Sequence, residues 1–240
     1  MENSFYSQEN HGPYDLFDLG TFELENGGYI PDCKLAYTTA GSLNNARDNA
    51  ILLPHMYSGS SKHMLDVLVD RQLALNPEEY FIILPNQLGN GLSSSPHNTP
   101  APLGQGNFPE LTIGDDVVAQ HRLVTEQFGI EQLQLVLGWS MGAQQTYEWC
   151  VRYSDMVKRA APIAGTARTT PHDYLYTQVV AEAITSDPAW QNGRYSDPHA
   201  VTTGLRNHAR IFALFGASTE LYKQAGWSCL LYTSPSPRDS

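Results

Sequence analysis

A serine held between two glycines, Gly138-Trp139-Ser140-Met141-Gly142, most limits what this chain can become. Leu133-Gln134-Leu135-Val136-Leu137 runs into it, an apolar segment of strand length. Met141 to Tyr153 leaves it with helical character, placing Ala143, Tyr147 and Cys150 at spacings that share a face. A strand, a sharp turn and a helix hold a serine clear of both elements, and the glycines let neighbouring backbone pass close by. The first N–H groups of the helix, notably that of Met141, then lie where a developing oxyanion would sit. Ser140 is the candidate nucleophile, and Met141 a candidate oxyanion donor through its backbone. The pattern alone would also fit a serine in an ordinary turn; the strand before it and the helix after it favour the catalytic reading.

Around this turn the chain alternates strands and helices. Leu19 to Glu25 and Leu35 to Thr39 read as two early strands joined through Asn26-Gly27-Gly28. Ala50 to Pro54 is a short apolar strand, Lys62 to Leu75 a helix and Tyr80 to Leu84 a buried-type strand. A Gly/Ser/Pro/Asn-rich loop spans Asn86 to Pro109, and Thr112-Ile113-Gly114-Asp115 matches a capping box opening a helix to about Phe128. Ala160 to Ala164 is the last apolar strand; Pro171 to Thr185 and His199 to Phe215 read as helices. Continuous apolar strands alternating with helices imply a mostly parallel sheet covered on both faces. With a serine at a strand-to-helix turn, this pattern describes an α/β-hydrolase fold. The expected organisation is a core over residues 1–165 and the start of a helical lid over residues 166–228.

Lys plus Arg number 14 and Asp plus Glu 25, a net charge of −11, which argues against nucleic acid or an anionic membrane as partner. The amino terminus has no basic segment followed by an apolar one, and no apolar run reaches membrane-spanning length. Cys33, Cys150 and Cys229 suit neither a disulfide framework nor a zinc site, so no metal is expected and cytoplasm is the expected compartment. The expected partner is a small-molecule substrate, with a homodimer left open.

An activated serine needs a second oxyanion donor, a base and a group that orients the base. The loop after the third strand, His55-Met56-Tyr57, should supply the donor, with the backbone N–H of Tyr57 the best candidate and Met56 next. Asn86 and Gly89 follow a strand's carboxyl end, the rim where substrate contacts lie. A solvated turn is the other reading, and is favoured for Ser93, Ser94 and Ser95. In this fold the order is Ser, then Asp or Glu, then His. His172, His199 and His208 follow Ser140 but fall in the lid segment. The general base and the orienting acid are therefore expected to be absent from this chain.

Several stretches carry a resemblance to one branch of this fold. Leu35 to Asn44, Pro85-Asn86-Gln87-Leu88-Gly89, Ser140-Met141-Gly142, Ile163 to Arg168 and Ala183 to Trp190 with Gly193 and Tyr195 resemble homoserine O-acetyltransferases and their relatives. The resemblance implies acyl transfer through a covalent ester on Ser140, with acetyl-CoA as donor co-substrate, no bound cofactor and a hydroxyl acceptor. Two departures stand out: Trp139 and Ala143 flank the Ser-Met-Gly core, and Asn90 to Pro96 replaces a Gly-rich continuation of the loop. Trp139 would then shape the acyl or acceptor pocket. A serine esterase on the same fold, whose acyl-enzyme is resolved by water, is the alternative. A non-catalytic binding protein is a third.

Cys229 to Asp239 resembles a translated transposase adapter from library preparation, so residues 229–240 are expected to be a non-native tail. On that reading the natural sequence stops near Ser228, before the late acid and histidine, and the chain by itself would be inactive.

Overall fold

Six stretches of the chain pair into one sheet. In a computed structural model, residues 5–195, 197 and 199–224 are described. The adapter-like segment and Cys229 lie outside them. A single helical turn, α1 (Gln8–His11), precedes the sheet strands β1 (Asp15–Glu23), β2 (Tyr29–Ala40), β3 (Ala50–Leu52), β4 (Phe81–Pro85), β5 (Leu135–Trp139) and β6 (Ala160–Ile163). Their spatial order is β1-β2-β4-β3-β5-β6. β1, β2 and β4 pair antiparallel, whereas β4, β3, β5 and β6 pair parallel.

The parallel centre explains the unbroken apolar runs: both faces are covered. Leu52, Phe81 and Ile83 join Val117, Leu123 and Trp149 in one core cluster, while Ile51, Leu53, Ile82 and Leu84 join Met64 and Leu75 in another. Successive strand residues thus feed opposite faces. The helices concerned are α2 (Ser61–Leu68), α3 (Ile113–Arg122) and α4 (Met141–Arg152).

Two helices differ from the sequence expectation. The helix expected to reach Leu75 stops at Leu68, because Asp70 Oδ1 accepts the Gln72 N–H at 2.8 Å and the chain turns. The buried face of α4 carries Gly142, Ala143, Gln145, Thr146 and Trp149, so of the expected Ala143, Tyr147 and Cys150 stripe Ala143 is buried and the other two are half-buried. Thr146 Oγ1 donates to Gly142 O at 2.9 Å and Gln145 Oε1 accepts from Gln120 Nε2 at 2.6 Å, while the buried Gln145 Nε2 has no partner among the described residues. Capping of α3 follows the sequence, with Thr112 and Asp115 reciprocally bonded, and the helix ends in a π turn over Leu123–Gln127.

Residues 1–168 and 169–240 form two compact units. The described part of the second unit holds α5 (Pro171–Thr185), α6 (Thr202–Gly216) and the short α7 (Thr219–Lys223). Gly204 lets α6 approach the backbone of Ile184 closely, and Asp187 accepts the Gly204 N–H at 2.8 Å. No helix among the described residues is long and apolar enough to cross a membrane.

Candidate active site

β5 delivers the chain to Ser140, whose φ of 56° and ψ of −114° are costly for a residue with a side chain. The surroundings impose that conformation. The Ser140 N–H donates to Ile163 O at 2.9 Å, extending the β5–β6 ladder to the turn, and the Ala143 N–H returns to Ser140 O at 2.9 Å. Three glycines make the turn sterically feasible. A side chain at Gly138 would strike the Gly142 carbonyl, one at Gly142 the Pro54 carbonyl, and one at Gly165 the Ser140 carbonyl. The first two belong to the motif. Gly165 was not assigned to the turn from sequence; its one signal is a glycine directly after the carboxyl end of an apolar strand.

Ser140 is partly exposed, and its Oγ has no hydrogen-bond partner among the described residues. Met141 opens α4, so its N–H has no intrahelical carbonyl to bond. Trp139 is 39% exposed beside the serine rather than packed beneath the turn.

The close approach of Gly142 to Pro54 and His55 brings the β3 loop against the serine turn. Within that loop Met56 O accepts the Gly59 N–H at 2.9 Å, making a tight turn with Tyr57 and Ser58 at its tip. The Tyr57 ring is 63% exposed, and its N–H has no acceptor among the described residues. His55 is fully buried beneath the turn. Its Nδ1 lies 2.7 Å from Met56 O and its Nε2 accepts the Gln87 N–H at 3.1 Å. A carbonyl only accepts and an amide N–H only donates, so Nδ1 carries the proton and the ring is neutral. Burial pushes its pKa down to about 4.

Asn86 is buried, not at an open rim. Its Oδ1 accepts the Ser61 N–H at 2.9 Å and its Nδ2 donates to Ser61 Oγ at 3.0 Å, tying β4 to the start of α2. Gly89 has φ +82° and bonds back to Ser94 O, so its identity is required by the loop's turn. The expected solvation of Ser93, Ser94 and Ser95 is corrected: all three are buried. Ser93 Oγ and Ser94 Oγ accept the Ala36 and Lys34 N–H groups at 2.9 Å each, doing the work of a neighbouring strand for β2. Asp116, one turn into α3, was also unassigned. It is buried, accepts the Leu88 N–H at 2.8 Å, and burial raises its pKa to about 7. No cluster of metal-ligating side chains occurs among the described residues.

This architecture and turn place the chain in a known family. Residues 49–224 match the alpha/beta hydrolase fold, and the chain belongs to that family. It is 52% identical over 232 residues to the ethyl acetate hydrolase of Pseudomonas veronii, covering 97% of this chain and 66% of that protein. The crystal structure of an acetylester hydrolase from Corynebacterium glutamicum matches with a TM-score of 0.92 at 51% identity, over 95% of this chain and 66% of that one. The homoserine O-acetyltransferase of Methanococcoides burtonii is 36% identical over 211 residues, covering 81% of this chain and 43% of that protein. The chain thus spans about two thirds of the length of the esterases it matches. These findings correct the expectation of acyl transfer: the relatives at about half identity are named as ester hydrolases, and the acetyltransferase stands well below them.

Proposed function

We propose that the whole protein is a serine esterase that hydrolyses acetate and similarly short acyl esters of small alcohols. One observation carries this reading: Ser140 is held at φ 56° on a strand-to-helix turn with its Oγ partly exposed and uncommitted. Such strain persists where the surroundings over-determine it, and here it presents a hydroxyl to a bound carbonyl. The names of the esterase relatives supply the substrate class.

In the proposed reaction Ser140 Oγ attacks the ester carbonyl carbon as a general base takes its proton. The Met141 and Tyr57 N–H groups receive the developing oxyanion. The alcohol departs with a proton, leaving an acyl group on Ser140, and water then releases the acid by the same steps in reverse. Water as acceptor removes any need for acetyl-CoA. His55 is not the base, because both ring nitrogens are already engaged. In this reading the half-exposed Trp139, next to Ser140 in the chain, forms a wall beside the acyl group and favours short acyl chains.

The test is hydrolysis of ethyl acetate and of 4-nitrophenyl esters of increasing acyl length by the whole protein and its Ser140→Ala variant. Serine-dependent release of acetate, falling with acyl length, is expected. Absence of ester hydrolysis in the folded protein would overturn the reading.

A further inference from the structure

We infer that His55 is a positioning residue that aims the Tyr57 N–H into the oxyanion site by holding the carbonyl of the same peptide unit. The inference rests on the esterase reading above. In a trans peptide the C=O and N–H point in opposite directions, so fixing one aims the other. Met56 O and Tyr57 N belong to one such unit. That carbonyl accepts two hydrogen bonds: the Gly59 N–H at 2.9 Å and the His55 ring at 2.7 Å. The Gly59 bond lies inside the turn and moves with it. The His55 bond ties the turn to the frame, because Nε2 is held by the Gln87 N–H immediately after β4. Gln87 Nε2 closes the brace by donating to His55 O at 2.7 Å. The segment after β4 is itself anchored: the Asn86 N–H donates to Ala36 O at 2.7 Å and the Leu88 N–H to Asp116 Oδ1 at 2.8 Å.

The ring's two nitrogens therefore have separable duties. Nδ1–H orients the peptide, and Nε2 fixes the tautomer that lets it do so. An asparagine amide nitrogen sits where Nδ1 does, two bonds beyond Cβ, whereas a glutamine amide reaches the place of Nε2. His55→Asn keeps the bond to Met56 and loses the two contacts of Nε2, the Gln87 N–H and Asn90 Nδ2 at 3.3 Å; His55→Gln does the reverse. Each variant keeps one side of the brace, and urea midpoints measured for both show whether each is folded.

The experiment compares kcat for 4-nitrophenyl acetate and affinity for phenylboronic acid, a tetrahedral oxyanion mimic, in whole wild-type protein and both variants. His55→Gln should lose about 10²-fold in kcat with KM little changed, as when one oxyanion donor is removed, and should weaken boronate binding in parallel. His55→Asn should stay within about tenfold of wild type, because its donor remains. Equal kcat in the two folded variants would overturn the inference while leaving the esterase reading intact. A wild type that cleaves no ester would overturn that reading. The boronate ratio between the variants would then still decide the inference, and no boronate binding at all would overturn it too. If the variants do not fold, the wild-type imidazole ¹⁵N spectrum decides. A proton on Nδ1 is expected, and one on Nε2 would overturn the inference.

Discussion

Asp116→Asn should raise stability at alkaline pH and flatten its pH dependence. The carboxyl is buried and receives one hydrogen bond, from the Leu88 N–H at 2.8 Å. Desolvation lifts its pKa from 3.8 to about 7; the Leu88 bond opposes the lift and the Asp115 charge adds to it. The folded pKa lies above the unfolded one, so the folded state binds the proton more tightly. The stabilisation is full below pH 3.8 and is lost as pH rises through about 7. A difference of roughly three units corresponds to about 4 kcal/mol lost by pH 8. Asparagine keeps an acceptor for Leu88 and cannot ionise. Urea unfolding of the whole protein at intervals from pH 5 to 8.5 would measure the difference. The wild type should fall relative to the variant across this range by a few kcal/mol. Parallel curves would refute the reasoning, since they would mean that Asp116 ionises alike in both states.

Ser140→Ala should lower kcat by about 10⁴-fold or more with unchanged folding, checked by ester hydrolysis and circular dichroism. Gly142→Ala drives a methyl into the Pro54 carbonyl and should cost about 1–3 kcal/mol in urea unfolding as well as activity. Trp149→Phe removes the indole N–H that reaches Gln120 Oε1 at 2.9 Å, leaving a buried acceptor unpaired. It should cost about 1–3 kcal/mol with kcat retained. His55 has its pKa depressed to about 4, so its neutral ring contributes stability above pH 6.5 that is lost as pH falls through 4. His55→Asn should remove that acid-side slope, measured by urea midpoints between pH 6.5 and 4.

The sheet was largely legible because its central strands are covered on both faces and therefore written as continuous apolar runs, as in Phe81-Ile82-Ile83-Leu84. The serine turn was legible because steric demand leaves a trace: only glycine fits at 138 and 142. Where burial is purchased by hydrogen bonds the pattern fails. Ser93 to Ser95 look like solvent-facing residues yet complete the bonding of β2, and Gln145 and Thr146 sit inward on α4. His55 and Asp116 act through backbone N–H and C=O groups, which every residue carries, so their partners could not be read from residue types. The activity was misjudged for a related reason. The serine turn serves transferase and hydrolase alike, and what separates them is the group that resolves the acyl-enzyme.

The most direct measurement follows the acyl group itself. Whole protein is mixed with 4-nitrophenyl acetate, quenched, digested and examined by mass spectrometry while acetate release is timed. The proposed esterase predicts one acetyl group on the peptide containing Ser140, turned over to free acetate by water and absent in Ser140→Ala. An unmodified Ser140 peptide during active hydrolysis, or transfer from acetyl-CoA to homoserine without ester hydrolysis, would contradict it.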